Sequence, residues 1–499
     1  MEDNKKMLGK LGFLVTLIPR LILRFLKQFW SCKRYPPGPF RLPLIGGVWR
    51  FGVKLTEDTF KKMAKQYGDV YMIWVGNYPA VVLSGYEAVK EGMIDHLEDF
   101  AERPVSPFLQ SVVKKRGIVF SNGHTWKQQR RFGVVTMRKL GLGKKGMEQQ
   151  VEDEARRLIE CFAKTKGQPF SPLLPVTNCV CNMICSVAFG SQFSVEDKDF
   201  LELIEAIRIS LEFGGSFFHG LCEIFPGVMK YLPGPHKKAI SSMNVILSYA
   251  RKEVERHKVQ QNQHEPQDII DYYLLQMDKS KDDPTSTYNE DNLVQCIFDL
   301  FIAGTDTTAT SLQWSLLLMV TYPDIQEKIQ KEIDTVLNPT QSISYQERKK
   351  MPFTHAVIHE ILRTKFVLLF GIPRQCAKDV KMRGFFIPKG AFIAPDLRSV
   401  LFDPNHWETP NKFNPYHFLD QEGNFVTRDA FLPFGAGARS CVGEQMARIE
   451  LFIFLTNLLR AFTFHLPEGV KKLNQEPIVA LTMHPRPYKI CAVPRFSTT

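Results

Sequence analysis

The stretch Phe434-Gly435-Ala436-Gly437-Ala438-Arg439-Ser440-Cys441-Val442-Gly443 decides how the rest of the chain is read. An apolar pattern at helical spacing follows at once: Met446, Ile449, Leu451, Phe452, Phe454 and Leu455. A cysteine just ahead of a helix has its sulfur near free amide donors and the positive end of the helix dipole, and both favour thiolate over thiol. Gly435 and Gly437 let the backbone turn tightly and come close to a flat ligand. Arg439 offers a fixed cation to an anionic substituent on that ligand. A bare Gly-x-Gly before a cysteine is ordinarily a capping loop around a structural thiol; the full ten-residue string says more than that.

Three other segments carry chemistry. Ala303-Gly304-Thr305-Asp306-Thr307-Thr308 lies inside a long apolar helical pattern, with Ala303, Asp306 and Thr307 on one face at i, i+3 and i+4. The small residues leave room for a flat ligand, and a threonine or aspartate there can open a backbone bond to water. Flanking Leu300, Phe301, Ile302, Trp314 and Leu316 to Leu318 argue for a buried helix rather than an exposed polar patch. Glu360 and Arg363, three apart on a helix, can pair, and Asn414-Pro415-Tyr416-His417-Phe418 lies between them and the cysteine loop. Trp126 and Arg130, four apart, reach one side of their helix.

The ten-residue string resembles the haem-binding loop of the cytochrome P450 superfamily, F-x-x-G-x-R-x-C-x-G, with every fixed position met. The resemblance covers residues 36–499. Pro36-Pro37-Gly38-Pro39, Phe120-Ser121-Asn122-Gly123, Ala356-Val357-Ile358-His359-Glu360 and Phe413-Asn414-Pro415 look like its microsomal family 2. It implies a mainly α fold with a smaller β region, one catalytic domain over 36–499, and haem b held by the Cys441 thiolate. A thiolate donates electron density to the iron and favours O–O cleavage. By the same match, Arg103, Trp126, Arg130 and Arg374 contact haem propionates, and Ala303, Phe434 and Arg439 are cofactor-binding. Thr307 is the alcohol and Asp306 the acid that deliver protons. Glu360, Arg363 and His417 form a structural trio, with His417 where many relatives carry arginine.

The substrate pocket falls by position on Phe108, Val112 and Val113; Leu211, Phe213, Phe217 and Phe218; Phe298, Asp299 and Ile302; Val367, Leu368 and Phe370; and the turn at Leu481-Thr482. The set is apolar and partly aromatic, which suits a lipophilic substrate such as a xenobiotic, a fatty acid like arachidonate, or a steroid. The implied reaction is hydroxylation or epoxidation with dioxygen and electrons from an NADPH-cytochrome reductase, cytochrome b5 being a second donor. A haem-thiolate isomerase or dehydratase that consumes no dioxygen, a non-catalytic haem binder and a haem-free membrane scaffold are the rival readings. The intact Asp306-Thr307 pair argues against the isomerase.

Composition fits an ordinary globular protein of 499 residues, 44% hydrophobic and 23% charged. The net charge of +12 suits an acidic partner or an anionic membrane surface, and no nucleic-acid fingerprint is present. The ten cysteines are scattered in apolar contexts, which argues for a reducing compartment; the cluster Cys179, Cys181 and Cys185 reads as core packing. Residues 1–35 read as a membrane-attachment segment. Leu11 to Ile18 is apolar, but Pro19, Arg20, Arg24 and Lys27 interrupt the roughly 20 residues a spanning helix needs, so an interfacial amphipathic helix fits better. If the segment spans instead, the denser basic residues after the apolar run place the body in the cytosol; the resemblance implies the cytosolic face of the endoplasmic reticulum.

The periodicity predicts helices over 124–140, 147–165, 173–189, 198–213, 236–258, 266–278, 289–320, 322–337, 351–364 and 441–460, with a helix and β-rich segments over 55–85 and short β-like runs near 378–394 and at the end. Gly141-Leu142-Gly143-Lys144-Lys145-Gly146 matches GxGxxG but follows a helix, so it is no dinucleotide site and electrons come from a separate reductase. Lys127, Arg131, Arg138, Lys139, Lys144 and Lys145 form a basic stretch suited to an acidic flavin domain, or simply to solvent.

Overall fold

A computed structural model describes residues 34–496, apart from 43, 52–56, 105, 142–144, 261–264, 339–340 and 369. The membrane-attachment segment expected over 1–35 thus lies almost wholly outside the described residues. No helix among the described residues is long and apolar enough to cross a membrane.

The fold is mainly helical with a small β region. The helices are α1 (Glu57–Tyr67), α2 (Gly123–Lys139), α3 (Lys145–Ala163), α4 (Leu173–Phe189), α5 (Lys198–Gly214), α6 (Phe217–Ile224), α7 (Pro235–Gln260), α8 (Ile269–Lys279), α9 (Glu290–Thr321), α10 (Pro323–Val336), α11 (Pro352–Thr364) and α12 (Glu444–Ala461). Most begin and end within three residues of the positions the periodicity predicts; α6 is missed, as are the shorter helices Tyr86–Lys90, Pro107–Gln110, Pro226–Met229 and Leu397–Leu401, because eight residues or fewer are too few to show a period. Local chemistry sets the ends. The Asn289 side chain accepts from the Asn292 N–H at 2.9 Å and caps α9. Pro323 and Pro352 open α10 and α11, where a missing N–H costs nothing.

The strands are β1 (Val70–Val75), β2 (Tyr78–Ser84), β3 (Arg374–Gln375), β4 (Val380–Met382), β5 (Phe385–Ile387), β6 (Phe392–Asp396), β7 (Phe462–His465), β8 (Pro477–Val479), β9 (Met483–Pro485) and β10 (Cys491–Pro494). The main sheet runs β1-β2-β6-β3; β2 and β6 are parallel and the other neighbours antiparallel. Three two-stranded pairs complete the β part: β4–β5, β7–β10 and β8–β9.

The chain builds one large core among the helices and a second against the sheet. α9 is buried along almost its whole length, which explains its apolar residues on all sides. The cysteine loop joins the two cores: Ala436 belongs to the sheet side, while Met446 and Ile449 belong to the helical side.

Candidate functional site

The cysteine loop is closed by its own backbone. The Cys441 N–H donates to the Phe434 carbonyl at 2.9 Å, and Gly435 and Gly437 take φ of +73° and +71°. A side chain at 437 would run into the Met93 carbonyl, so glycine is required both for its φ and for close approach. Cys441 has open space beside it although protein surrounds it on almost every side, so its sulfur faces an internal cleft. The amide donors expected to favour thiolate are present, but they do not prevail over burial. Burial pushes the thiol pKa up, and the amides of Gly443 and Glu444, together with Arg130, offset this only in part. α12 starts at Glu444, three residues beyond the sulfur, which weakens the dipole's hold.

Four arginines surround the loop. The Arg130 guanidinium donates to the Ser440 carbonyl at 2.8 Å, and Arg374, at the start of β3, donates to the Ala436 carbonyl at 2.6 Å. Arg103 donates to the carbonyls of Ile372 and Pro373 at 2.6 and 2.7 Å, and the bond from the Gln375 N–H to the Glu102 carbonyl pins its segment beside β3. Arg439 donates to the carbonyls of Ala101 and Ser121, both at 2.7 Å, and its guanidinium lies 3.9 Å from the centre of the Trp126 ring. Arg439 is therefore a clamp that ties the cysteine loop to the segments before α2; its donors are already committed to the protein. Phe434 lies under Arg448, at 5.0 Å.

None of the four arginines makes a salt bridge among the described residues. Burial first, and mutual repulsion second, lowers the pKa of Arg374 to about 10 and of Arg439 to about 9, and drives Arg103 well down. The buried atoms Arg103 Nε, Arg374 Nη1 and Trp126 Nε1 have no hydrogen-bond partner. Crowded buried cations with orphaned donors fit the carboxylates of an anionic ligand. The donor set and the cysteine therefore suit a haem with its propionates.

On α9, Leu300, Ile302, Ala303, Gly304, Asp306 and Thr307 are the accessible residues within an otherwise buried run. The Thr307 hydroxyl donates to the Ala303 carbonyl at 2.7 Å, one turn back. Asp306 does not share that bond. Its Oδ2 lies 3.5 Å from His484 Nε2 on β9, and burial raises its pKa against the pull of His484 and Thr482. The three residues expected on one face thus divide: Ala303 and Thr307 are linked to each other, and Asp306 turns to the β8–β9 hairpin.

Glu360, Arg363 and His417 meet as one fully buried unit. Arg363 grips both Glu360 oxygens at 2.7 Å and also donates to the carbonyls of Leu401, Pro410 and Lys412. His417 Nε2 accepts the Thr409 N–H at 3.2 Å, which leaves the ring proton on Nδ1 to bond Glu360 at 3.2 Å.

The pocket candidates converge in part. Phe108 packs on Phe213 at 4.7 Å, with Val112 and Phe298 buried. Backbone bonds from Leu481 to Leu211 and from Met483 to Val367 bring the β8–β9 turn to α5 and to the segment after α11. Phe370 turns to Phe60 of α1 at 6.2 Å. Two expectations are corrected. Phe217 and Phe218 are 51% and 45% exposed, because α6 lies on the surface. Asp299 is no pocket residue: its Oδ2 accepts the N–H groups of Ile118 and Val119 at 2.7 and 2.9 Å, so it secures the loop before α2. Sequence reasoning missed that clamp, as well as Asn122, whose Oδ1 receives both Arg103 N at 2.7 Å and Arg439 Nη2 at 3.0 Å. It also missed His484. No local signal marks any of them, since each works through partners far along the chain.

A cysteine open to an internal cleft, in a loop held by arginines that make no salt bridge among the described residues, fits a haem-thiolate protein. The chain belongs to the cytochrome P450 family, whose model matches residues 36–492. It is 42% identical to mouse (Mus musculus) cytochrome P450 2J5 over 93% of this chain and 92% of that one. It is 39% identical to human (Homo sapiens) cytochrome P450 2J2, over 98% and 96%, and 40% identical to human cytochrome P450 2C8, over 96% and 99%. It is thus an oxidoreductase, a monooxygenase with haem b as cofactor, linked to a reductase and acting on lipophilic molecules. That class disfavours the isomerase and the non-catalytic readings.

Proposed function

We propose that Cys441 is the haem ligand of this monooxygenase and that Arg103, Arg130, Arg374 and Trp126 hold the propionates. The observation that carries this is the cluster of buried arginines without salt bridges around a cysteine open to an internal cleft. When bound, haem b supplies the activation of dioxygen. Ala303 leaves the open face of α9 low enough for a flat group to lie against it, while Gly304 lets α9 close on Ile184 of α4. Thr307 Oγ1 holds a proton on that face, and the Asp306 carboxyl resupplies it. Glu360, Arg363 and His417 lock the core behind the site. Residues 36–499 act as one catalytic domain.

The substrate is a lipophilic xenobiotic, fatty acid such as arachidonate, or steroid, oxidised by hydroxylation or epoxidation. Phe108, Val112, Phe213, Phe298, Ile302, Val367, Phe370 and Leu481 contribute the apolar walls, with Leu481, 37% exposed, at the rim. Electrons come from NADPH-cytochrome reductase, with cytochrome b5 as an additional donor. Lys127, Arg131, Arg138 and Lys139 are exposed on α2, whose inner face holds Trp126 and Arg130, so an acidic flavin domain there docks close to the cofactor. The protein works at the cytosolic face of the endoplasmic reticulum. Exposed apolar residues support lipid contact: Leu44 is 65% and Tyr231 79% exposed, with Phe40, Trp49 and Val228. Gly76 joins their segments, since a Cβ there would lie 3.3 Å from the Leu44 carbonyl and 3.4 Å from Ile224.

The test is reconstitution with reductase, NADPH and a lipid panel, alongside the reduced carbon-monoxide spectrum. Oxygenated product and a thiolate-type Soret band are expected. Turnover of a hydroperoxide without reductase, or folded protein lacking that band, overturns the reading.

A further inference from the structure

Asp306 is a buried acid with an orphaned oxygen. Its side chain is 13% exposed, and its Oδ2 accepts no hydrogen bond. Across a gap of 3.5 Å stands His484 Nε2, on a ring that is 27% exposed. Thr482 Oγ1 lies 2.8 Å from the same Nε2, and Thr310 Oγ1 lies 3.0 Å from Nδ1. Thr310 follows Asp306 by four residues, so both face the hairpin from one side of α9. Trp314, four further on, donates its indole N–H to the Met483 carbonyl at 2.8 Å. Thr310 and Trp314 thus tie the β8–β9 hairpin to α9, and the imidazole is held on both nitrogens beside the acid. An imidazole is the side chain suited to move protons near neutral pH.

We propose that His484 is the relay residue that supplies protons to Asp306 from outside the site, with the Thr482 hydroxyl as the bridge. This rests on the reading of Asp306 as the acid that resupplies Thr307. In the step, the His484 Nε2–H bond breaks as a Thr482 O–H bond forms. The former Thr482 proton passes to Asp306 Oδ2. His484 becomes neutral, Asp306 becomes a carboxylic acid, and the ring takes its next proton from water at its exposed face. No electrons move. Burial raises the Asp306 pKa, which makes the carboxylate a better acceptor for that proton. The charged groups on the elements packed around the ring are few. Asp306 is the one on α9 beside it. Lys365 lies behind Trp314, 4.4 Å over that ring, and Glu476 and Arg486 flank the hairpin and are exposed.

The test uses the full-length, haem-loaded enzyme with its reductase, comparing wild type, His484→Gln, Thr482→Val and Asp306→Asn. Each variant is first checked for the thiolate-type carbon-monoxide band. Infrared difference spectra of the substrate-free ferric protein then follow the carboxylic-acid stretch that Asp306→Asn removes. Loss of the positive neighbour raises the Asp306 pKa, so in His484→Gln this stretch is expected to persist to higher pH than in wild type. Product formed per NADPH is measured between about pH 6 and pH 9. In wild type the yield is expected to fall as pH rises. In His484→Gln it is expected to be flat and several-fold lower at the acidic end, short of the roughly hundred-fold that loss of a direct proton donor costs. Thr482→Val is expected to lower the yield in the same direction. If the Asp306 stretch and the yield profile in His484→Gln match wild type while Asp306→Asn loses yield, the relay is wrong. If Asp306→Asn keeps full yield, the underlying role of Asp306 is wrong, and the relay with it.

Discussion

Arg363 spends all three of its guanidinium nitrogens on five hydrogen bonds, two of them to Glu360. Lysine keeps the charge but cannot reproduce that fork. Arg363→Lys therefore leaves carbonyls of Leu401, Pro410 and Lys412 without donors and Glu360 underpaired in a fully buried site. Breaking a buried pair in this way costs about 3–5 kcal/mol. The expected outcome is a large fall in the denaturant midpoint and in the haem retained on purification; a midpoint within error of wild type would refute it. Cys441 calls for the opposite kind of result. Cys441→Ala removes one sulfur facing a cleft, so the far-ultraviolet circular dichroism is expected to be unchanged. The thiolate-type Soret band of the reduced carbon-monoxide complex is expected to disappear. Retention of that band would move the ligand to another residue.

At the scale of elements, the cysteine loop and α9 behave differently under substitution. Gly437 has φ of +71° and the Met93 carbonyl against it. Gly437→Ala brings a left-handed strain of about 1–2 kcal/mol as well as a steric collision. The loop must shift, carrying Arg439 off the Ala101 and Ser121 carbonyls. Faster haem loss is expected, measured by transfer to a high-affinity acceptor protein; unchanged loss would show that the loop tolerates a Cβ. On α9 the relevant group is a hydroxyl. Thr307→Ser keeps an oxygen that can bond the Ala303 carbonyl, and Thr307→Val does not. Product per NADPH is expected to stay near wild type in the first and to fall sharply in the second, with similar yields in both counting against a proton role. The helices were legible because a period survives along α3, and because α4 and α9 are apolar runs too long for strands. The cysteine loop was legible because its glycines, arginine and cysteine are contiguous. The function of Arg439 as a clamp was not, because its partners Ala101, Ser121 and Asn122 are carbonyls and an amide more than three hundred residues earlier. Likewise the direction of Asp306 depends on a hairpin that reaches α9 only after the chain has folded.

At the scale of the whole molecule, stability depends on acids enclosed by the packing. Glu450 lies on α12 in the helical core, 2% exposed, and burial raises its pKa from 4.5 to about 8. The folded protein therefore holds a proton there that the unfolded chain releases above pH 4.5. This contribution is complete below that value and is lost as pH rises through about 8. Between these limits one such group lowers stability by about 1.4 kcal/mol per pH unit. Glutamine has nearly the same shape and no proton to lose. Glu450→Gln is thus expected to gain on wild type as pH rises, by about 1.4 kcal/mol for each unit between roughly pH 5 and pH 8. Asp299, raised to about 6 by burial against the N–H groups that it accepts, adds a slope of the same sign over a lower and narrower window. Asp299 is intact in both proteins, so its effect cancels in the difference between them. Urea unfolding of wild type and Glu450→Gln at several pH values across the window measures that difference directly. A difference that stays constant with pH would mean that Glu450 is already ionised in the folded core, and that a cation or water stabilises it there.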